Sequence, residues 1–306
     1  MEKIILDKKE TLNIDEVYSE LYAKVNKNKP IAKSVEPVIE KDEQKFLVTT
    51  NDLDELLSKA STVKADGKKW LFAIGLENYK YTDSIVYAKR SAEMFVKVAQ
   101  KILGVSTQNT YALINENATS SDIKNKMKLM LRNIKEGDTI YFYYNGHGVP
   151  AVDKENEAFI LSMDMMPDFV SDEPAFMMKQ MYKELSDSKA GSVIAIIDSC
   201  FSGSTDCKSI QKGVAATRVK PKDIDFDKTK MVVLTAGKGT QYSNAYNQKS
   251  HRMFSYFVME ELLKGDKNLK ELYGNVYKNT KETTQANYGD MRIQEPTMDG
   301  NSDINF

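Results

Sequence analysis

Short apolar runs closed by polar or glycine-flanked residues alternate along this chain with longer stretches of helical period. Trp70–Leu76, Thr110–Ile114, Ile140–Tyr144, Ala158–Met163, Val193–Ile197 and Met231–Ala236 are rich in β-branched, aromatic and aliphatic side chains, and each is predicted to be a strand. Between them, Ser84–Leu103 places Ala88, Ala92, Phe95, Val96 and Ala99 on one face of a helix. Ser120 or Ser121 caps a helix running to Ile134, Ala175–Leu185 is a further helix, and Phe254–Leu263 and Leu269–Thr283 close the series. The closing QEPTMDGN stretch is turn-like. Strands alternating with helices predict an α/β domain with a mainly parallel central sheet and helices on both faces.

Two strands end in chemistry. Val193–Ile197 is a continuous apolar run that suits a central parallel strand covered on both faces, and Asp198, Ser199 and Cys200 follow at its carboxyl end. Asp138 to Gly148, DTIYFYYNGHG, is a second strand that ends in the glycine-flanked His147. Ligands of open α/β sheets bind at that carboxyl edge. An imidazole and a thiol on neighbouring strand ends would share one rim, in a chain with only two His and two Cys.

Residues 1–68 differ from the rest: Lys, Glu, Asp and Asn dominate, Asn26–Pro37 reads as a linker, and Asp52–Ala60 is helical. This segment is an extension or a pro-segment lying over a cleft, and the compact domain opens at Lys69 and runs to residue 306. Thr205–Lys230 is a long polar, Lys-rich loop within it.

Composition narrows the function classes. With 306 residues there is room for one large domain plus an extension. A net charge of −1 gives no electrostatic case for nucleic acid as the main partner. No apolar run approaches the roughly 18 residues of a membrane helix. The N-terminal MEKIILDKKETLNIDE lacks a signal-peptide core, so a cytoplasmic protein is expected, or an exported one whose signal has been removed. Two cysteines are too few for a disulfide framework, which leaves a free nucleophile or one local bridge between Cys200 and Cys207.

A thiolate is the working form of a cysteine nucleophile, and a nearby His accepts its proton. Attack on an amide builds an oxyanion that needs fixed N–H donors, here those of Gly148 and Cys200. The expected reaction is acyl transfer through a thioester, with peptide hydrolysis as its outcome. No G-x-S-x-G elbow surrounds Ser199 or Ser202, against a serine hydrolase. His251 begins the SHRMF helix and is expected to cap or pack.

YNGHG at 144–148 and DSCFSG at 198–203 resemble the paired signatures of the caspase-like cysteine peptidases, in the branch of the metacaspases and their bacterial relatives. The resemblance extends from about Lys69 to the C-terminus through IGLENYKY, YAKRSAEMF, SHRMFSYFVMEEL and QEPTMDGN. It implies a caspase–hemoglobinase fold and a His147–Cys200 dyad. It also implies that Asp198 forms an acidic pocket for Lys or Arg before the scissile bond. Relatives often carry Asp at the position of Ser91, which supplies no second negative charge to that pocket. Phe201 stands where many relatives have His.

The Lys-rich loop occupies the place of the inter-subunit linker, so Lys208, Lys212, Arg218, Lys220 and Lys222 are expected sites of self-cleavage in a zymogen. Several metacaspases bind calcium through carboxylates; Asp164, Asp168, Asp172 and Glu173 are close in sequence and offer oxygen ligands, though not at EF-hand spacing. No other cofactor is required, the partners are protein or peptide substrates, and the oligomeric state is open. The alternative is a caspase-fold adaptor that binds peptides or partner proteins without cutting them.

Overall fold

A computed structural model describes residues 52–200, 226–239 and 241–306, together with the backbone of two short strands at 204–205 and 208–209. Most of the expected extension, Cys207 and the expected cleavage positions Lys212, Arg218, Lys220 and Lys222 lie outside the described residues.

The elements follow the predicted alternation. Helix α1 (Asp52–Lys59) precedes strand β1 (Lys69–Gly75), helix α2 (Ala88–Val98), strand β2 (Thr110–Ile114) and helix α3 (Ser120–Asn133). Strand β3 (Thr139–Asn145) leads into a hairpin of β4 (Gly148–Ala151) and β5 (Glu157–Ile160), then helix α4 (Met178–Ser186) and strand β6 (Ser192–Asp198). Two-residue strands β7 (Ser204–Thr205) and β8 (Lys208–Ser209) pair with each other, and β9 (Met231–Thr235) follows. A small pair, β10 (Ala245–Tyr246) and β11 (His251–Arg252), precedes helices α5 (Met253–Lys264) and α6 (Leu269–Tyr288) and a last strand, β12 (Thr297–Gly300).

Six strands form one sheet in the order β12-β9-β6-β3-β1-β2, parallel except for β12. Side-chain alternation divides the interior into two cores. Phe72, Ile74, Phe142, Tyr144, Val193 and Ile197 face α3 and α4, and the residues between them, Leu71, Ala73, Tyr141, Tyr143, Ile194 and Ile196, face α2, α5 and α6. Burial on both faces explains why these strands read as unbroken apolar runs.

Three differences from the predicted elements have physical reasons. The helix expected from Ser84 starts at Ala88, because Tyr87 adopts a left-handed φ of 67° that no helix continues through. Its first residues form a loop instead. The tail expected as a turn is strand β12; it needs partners on one side only, so it shows little of the apolar pattern of a central strand. Gly300 closes it at φ 106°, where any Cβ would lie 2.2 Å from the Met231 carbonyl oxygen. Finally, α1 packs on α5: Leu53 is fully buried in the second core, and the Asp52 carboxylate meets Lys249 and the Tyr256 hydroxyl. The packed body thus takes in this helix, upstream of the opening predicted at Lys69.

Candidate active site

Strands β3 and β6 are direct neighbours in register, with Asn145 opposite Asp198. His147 and Cys200 therefore each sit two residues beyond a paired position, on adjacent strand ends at the carboxyl edge. Both line one cleft of about 270 Å³. The loop before α2 forms one wall with Ser84, Ile85 and Val86, and the segment after β9 forms another with Tyr242, Ser243, Ala245 and Asn247. Arg252, Tyr288 and Arg292 complete it.

His147 is held from several sides. Its backbone N–H donates to the Tyr79 hydroxyl at 2.7 Å, and its ring lies tilted over the Tyr79 ring at 4.8 Å. Its carbonyl accepts from the Tyr144 hydroxyl at 2.6 Å. A Cβ on Gly146 would stand 2.6 Å from both tyrosine hydroxyls, so this approach requires glycine. On the ring, Nε2 lies 2.8 Å from the Asp83 carbonyl oxygen. A carbonyl only accepts, so Nε2 carries the proton and Nδ1 of the neutral ring is the basic atom. Burial holds the imidazole down to about pKa 4; the bond to Asp83 offsets part of that fall and Arg252 adds to it.

Cys200 is partly exposed. Burial of its sulfur pushes the thiol up, against the pull of the Arg252 guanidinium. The resting pair at neutral pH is thus a neutral thiol and a neutral imidazole. In the β4–β5 hairpin, Gly148 opposes Ile160 while the Leu161 N–H donates to the His147 carbonyl. That register makes Gly148–Ile160 a pair without mutual bonds, and the Gly148 N–H turns away from β5.

Asp198 occupies a different place from the one expected. Its carboxylate is 1 % exposed and does not line the cleft. Oδ1 accepts from the Ser243 hydroxyl, and Oδ2 accepts from the Ser255 N–H at 3.0 Å and its hydroxyl at 2.6 Å. Ser255 lies in the first turn of α5, where a helix favours an anion. Ser91 is also fully buried on α2 and outside the cleft wall: its Oγ accepts from the Arg252 N–H at 2.9 Å and lies 3.2 Å from His251 Nδ1.

The four carboxylates considered for calcium do not converge. Asp164 accepts from the Ser120 N–H, at the start of α3, and from Ser162, Glu173 pairs with Lys124 at 2.9 Å, and Asp168 and Asp172 are exposed on a 3₁₀ segment whose Pro167 and Val170 are buried. No group of three metal-ligating side chains gathers among the described residues. Of the expected cleavage positions, only Lys208 is described, as backbone in β8.

Sequence reasoning missed the cationic and aromatic part of the cleft. Arg292 stacks between the rings of Tyr242 and Tyr288, at 5.1 and 5.0 Å. Arg252 stands directly before the apolar helix MFSYFVMEELL. A cation at a helix N-terminus opposes the helix dipole, and that mismatch was the available signal.

Two buried neutral histidines, His147 and His251, tie stability to pH. His251 is held down to about pKa 3 by burial, with Arg90 adding to the effect. In the unfolded chain both titrate near 6.5. Between that value and the folded ones the unfolded state binds more protons, so stability falls as pH drops. Each group is expected to remove about 2 kcal/mol by pH 5. Urea midpoints at pH 7 and pH 5 measure this, and a midpoint that does not move would contradict the burial of both rings.

The family model described as metacaspase, peptidase C14 domain, matches residues 82–206, a span that contains both His147 and Cys200. Among solved structures, a protein of Geobacter sulfurreducens is 15 % identical with a TM-score of 0.56, over 76 % of this chain and 92 % of that one. Caspase-1 from Spodoptera frugiperda is 13 % identical with a TM-score of 0.51, over 78 % of this chain and 88 % of that one. The likeness to caspase-1 shows that this chain has the caspase fold. No curated protein sequence matches. No helix among the described residues is long and apolar enough to cross a membrane.

Proposed function

We propose that this chain, whose residues 82–206 match the metacaspase, peptidase C14 domain, is a caspase-like cysteine peptidase that hydrolyses peptide bonds with Cys200 as nucleophile and His147 as general base. Two observations support the assignment of roles: the β3–β6 register brings both side chains to one cleft, and the Asp83 carbonyl leaves Nδ1 as the basic nitrogen.

The chemistry follows from the neutral pair. Nδ1 takes the Sγ proton as sulfur attacks the substrate carbonyl, and the imidazolium returns that proton to the leaving amine. The developing oxyanion is met by the N–H groups of Gly148 and Cys200. A water, deprotonated by the same nitrogen, then opens the thioester. Every step uses groups of this chain.

The finer expectation of cleavage after Lys or Arg drew on Asp198. Its carboxylate is satisfied by Ser243 and Ser255, and the geometry gives that preference little support. Self-cleavage at Lys208, Lys212, Arg218, Lys220 or Lys222 depends on the same preference. Mass mapping of fragments from stored protein, wild type against Cys200→Ala, identifies any self-made cut.

The test of the peptidase is digestion of a mixed peptide library, with cuts located by mass. Cuts that vanish in Cys200→Ala support the reading; no cut at any peptide favours the adaptor. The low pKa of His147 adds a signature. Because the base is lost only on protonation near pH 4, the acid limb of kcat/KM lies near 4 rather than near 6.5. Rates measured from pH 7 to pH 5 over intervals too short for unfolding should change less than about twofold. A limb centred at 6.5 would remove His147 as a buried base.

A further inference from the structure

Two tyrosines grip the peptide groups on either side of the His147 Cα. The N–H of His147 belongs to the peptide shared with Gly146, and it donates to the Tyr79 hydroxyl at 2.7 Å. The carbonyl of His147 belongs to the peptide shared with Gly148. It accepts from the Tyr144 hydroxyl at 2.6 Å and from the Leu161 N–H at 3.1 Å. A trans peptide is one rigid plane, and a residue has only two soft backbone angles. Fixing both planes therefore fixes φ and ψ of His147, and with them the direction in which the imidazole leaves the chain. The second plane also carries the Gly148 N–H, so the grip on its carbonyl aims that donor.

Tyr79 is itself set from outside the site. Its segment leaves β1 through Glu77 and Asn78, whose N–H groups donate to the Asn115 side chain at 2.8 and 3.2 Å. The Lys80 N–H donates to the Met163 carbonyl, and the Ile85 N–H closes the loop on the Glu77 carbonyl, both at 2.9 Å. This one loop meets His147 three times. The Tyr79 hydroxyl takes its N–H, the Tyr79 ring lies against the imidazole with centroids 4.8 Å apart, and the Asp83 carbonyl faces Nε2. Burial pushes the Tyr79 phenol up, so it stays a neutral hydroxyl in the neutral range.

We propose that Tyr79 is a positioning residue for the peptidase reaction: its hydroxyl fixes the backbone of His147, and its ring keeps water from one face of the imidazole. Tyr144 completes the clamp on the side of Gly148. The proposal rests on the peptidase reading above and gives neither tyrosine any bond-making role.

The experiment measures kcat and KM on the best substrate from the peptide library, beside histidine NMR, for the full chain and for Tyr79→Phe, Tyr79→Ala and Gly146→Ala. The chain has only two His, and the His147 signal is the one absent from His147→Ala. Tyr79→Phe keeps the ring and loses the hydroxyl. Its kcat is expected to fall about 30-fold with KM within about twofold, because a displaced base costs rate and not substrate binding. Its His147 midpoint should stay near the wild-type value of about 4. Tyr79→Ala loses the ring as well. Asp83 of the same loop, Arg252 before α5 and the Cys200 thiol after β6 still face the imidazole unchanged. Hydration alone should then raise the midpoint above about 5, and the acid limb of kcat/KM with it. Gly146→Ala keeps both tyrosines but drives a Cβ to 2.6 Å from both hydroxyls, and it should reproduce the kcat loss of Tyr79→Phe. A merely structural tyrosine would lower the melting temperature and move neither kcat against KM nor the titration.

A folded Tyr79→Phe within about threefold of wild-type kcat overturns the proposal and leaves the peptidase intact. So does a loss confined to KM, or a His147 midpoint that stays near 4 in folded Tyr79→Ala. If the Tyr79 variants do not fold, amide exchange on the unaltered protein decides. Protection of the His147 N–H by about 1,000-fold or more supports the clamp, and exchange as fast as in exposed backbone overturns it. If the wild type cuts no peptide, the peptidase reading falls and the proposal falls with it.

Discussion

Cys200→Ala lowers kcat/KM for the best peptide substrate by about ten-thousand-fold and leaves the fold in place. The size follows from the chemistry: without sulfur there is no thioester, and only transition-state contacts of the cleft remain. The fold survives because Cys200 is partly exposed, at the end of a strand whose buried residues stop at Asp198 and Ser199. His147→Ala is expected to cost a similar factor, since an unassisted thiol pushed up by burial is mostly protonated at neutral pH. The two losses do not add: the double variant should be no slower than Cys200→Ala alone, because both residues serve one proton transfer. Turnover with the three variants, checked against their melting temperatures, measures this. More than about a tenth of wild-type activity in Cys200→Ala would remove the thiol as nucleophile.

Asp198→Ala is expected to lower stability by about 3–5 kcal/mol. The carboxylate accepts three bonds, two of them from Ser255 at the start of α5 and one from Ser243. Its removal takes the acceptor from the Ser255 N–H and from both hydroxyls, and removes the carboxylate that Ser243 links to Arg252. Asp198→Asn should recover part of the loss, since an amide oxygen still accepts, though its NH₂ faces donors. Urea unfolding of the three proteins gives the ordering. An Asp198 that served mainly as a substrate pocket would behave differently: its alanine variant would keep near-wild-type stability and lose only peptide preference.

The fold was legible because most of its sheet is buried on both faces. Strands such as Val193–Ile197 have apolar residues on both sides, so their positions, parallel direction and polar ends could be read from type alone. The same logic located His147 and Cys200, each at the end of such a run. Asp198 shows where this reading stops. Its place beside Cys200 in the chain is a local fact, but its partners Ser243 and Ser255 come from segments about fifty residues away. Whether a carboxylate faces substrate or is consumed inside depends on those long-range donors. The same holds for Ser91, which lies against Arg252 and His251 across more than 150 positions of sequence. Arg252 and Arg292 enter the cleft by the same kind of tertiary contact, and β12 pairs on one edge only, so none of them leaves a periodic trace.

The acceptor that orients His147 is a main-chain carbonyl, at Asp83. Every amino acid has that oxygen, so the orienting group belongs to the path of the backbone and to no codon. Alanine at position 83 keeps this acceptor and removes only the carboxylate, whose charge acts to raise the imidazole. What can remove the acceptor is a change in chain path: an insertion or deletion between β1 and α2, or an amide-to-thioamide exchange that weakens the carbonyl as acceptor. The orientation of His147 therefore depends on the length of this loop more than on which residue stands at position 83.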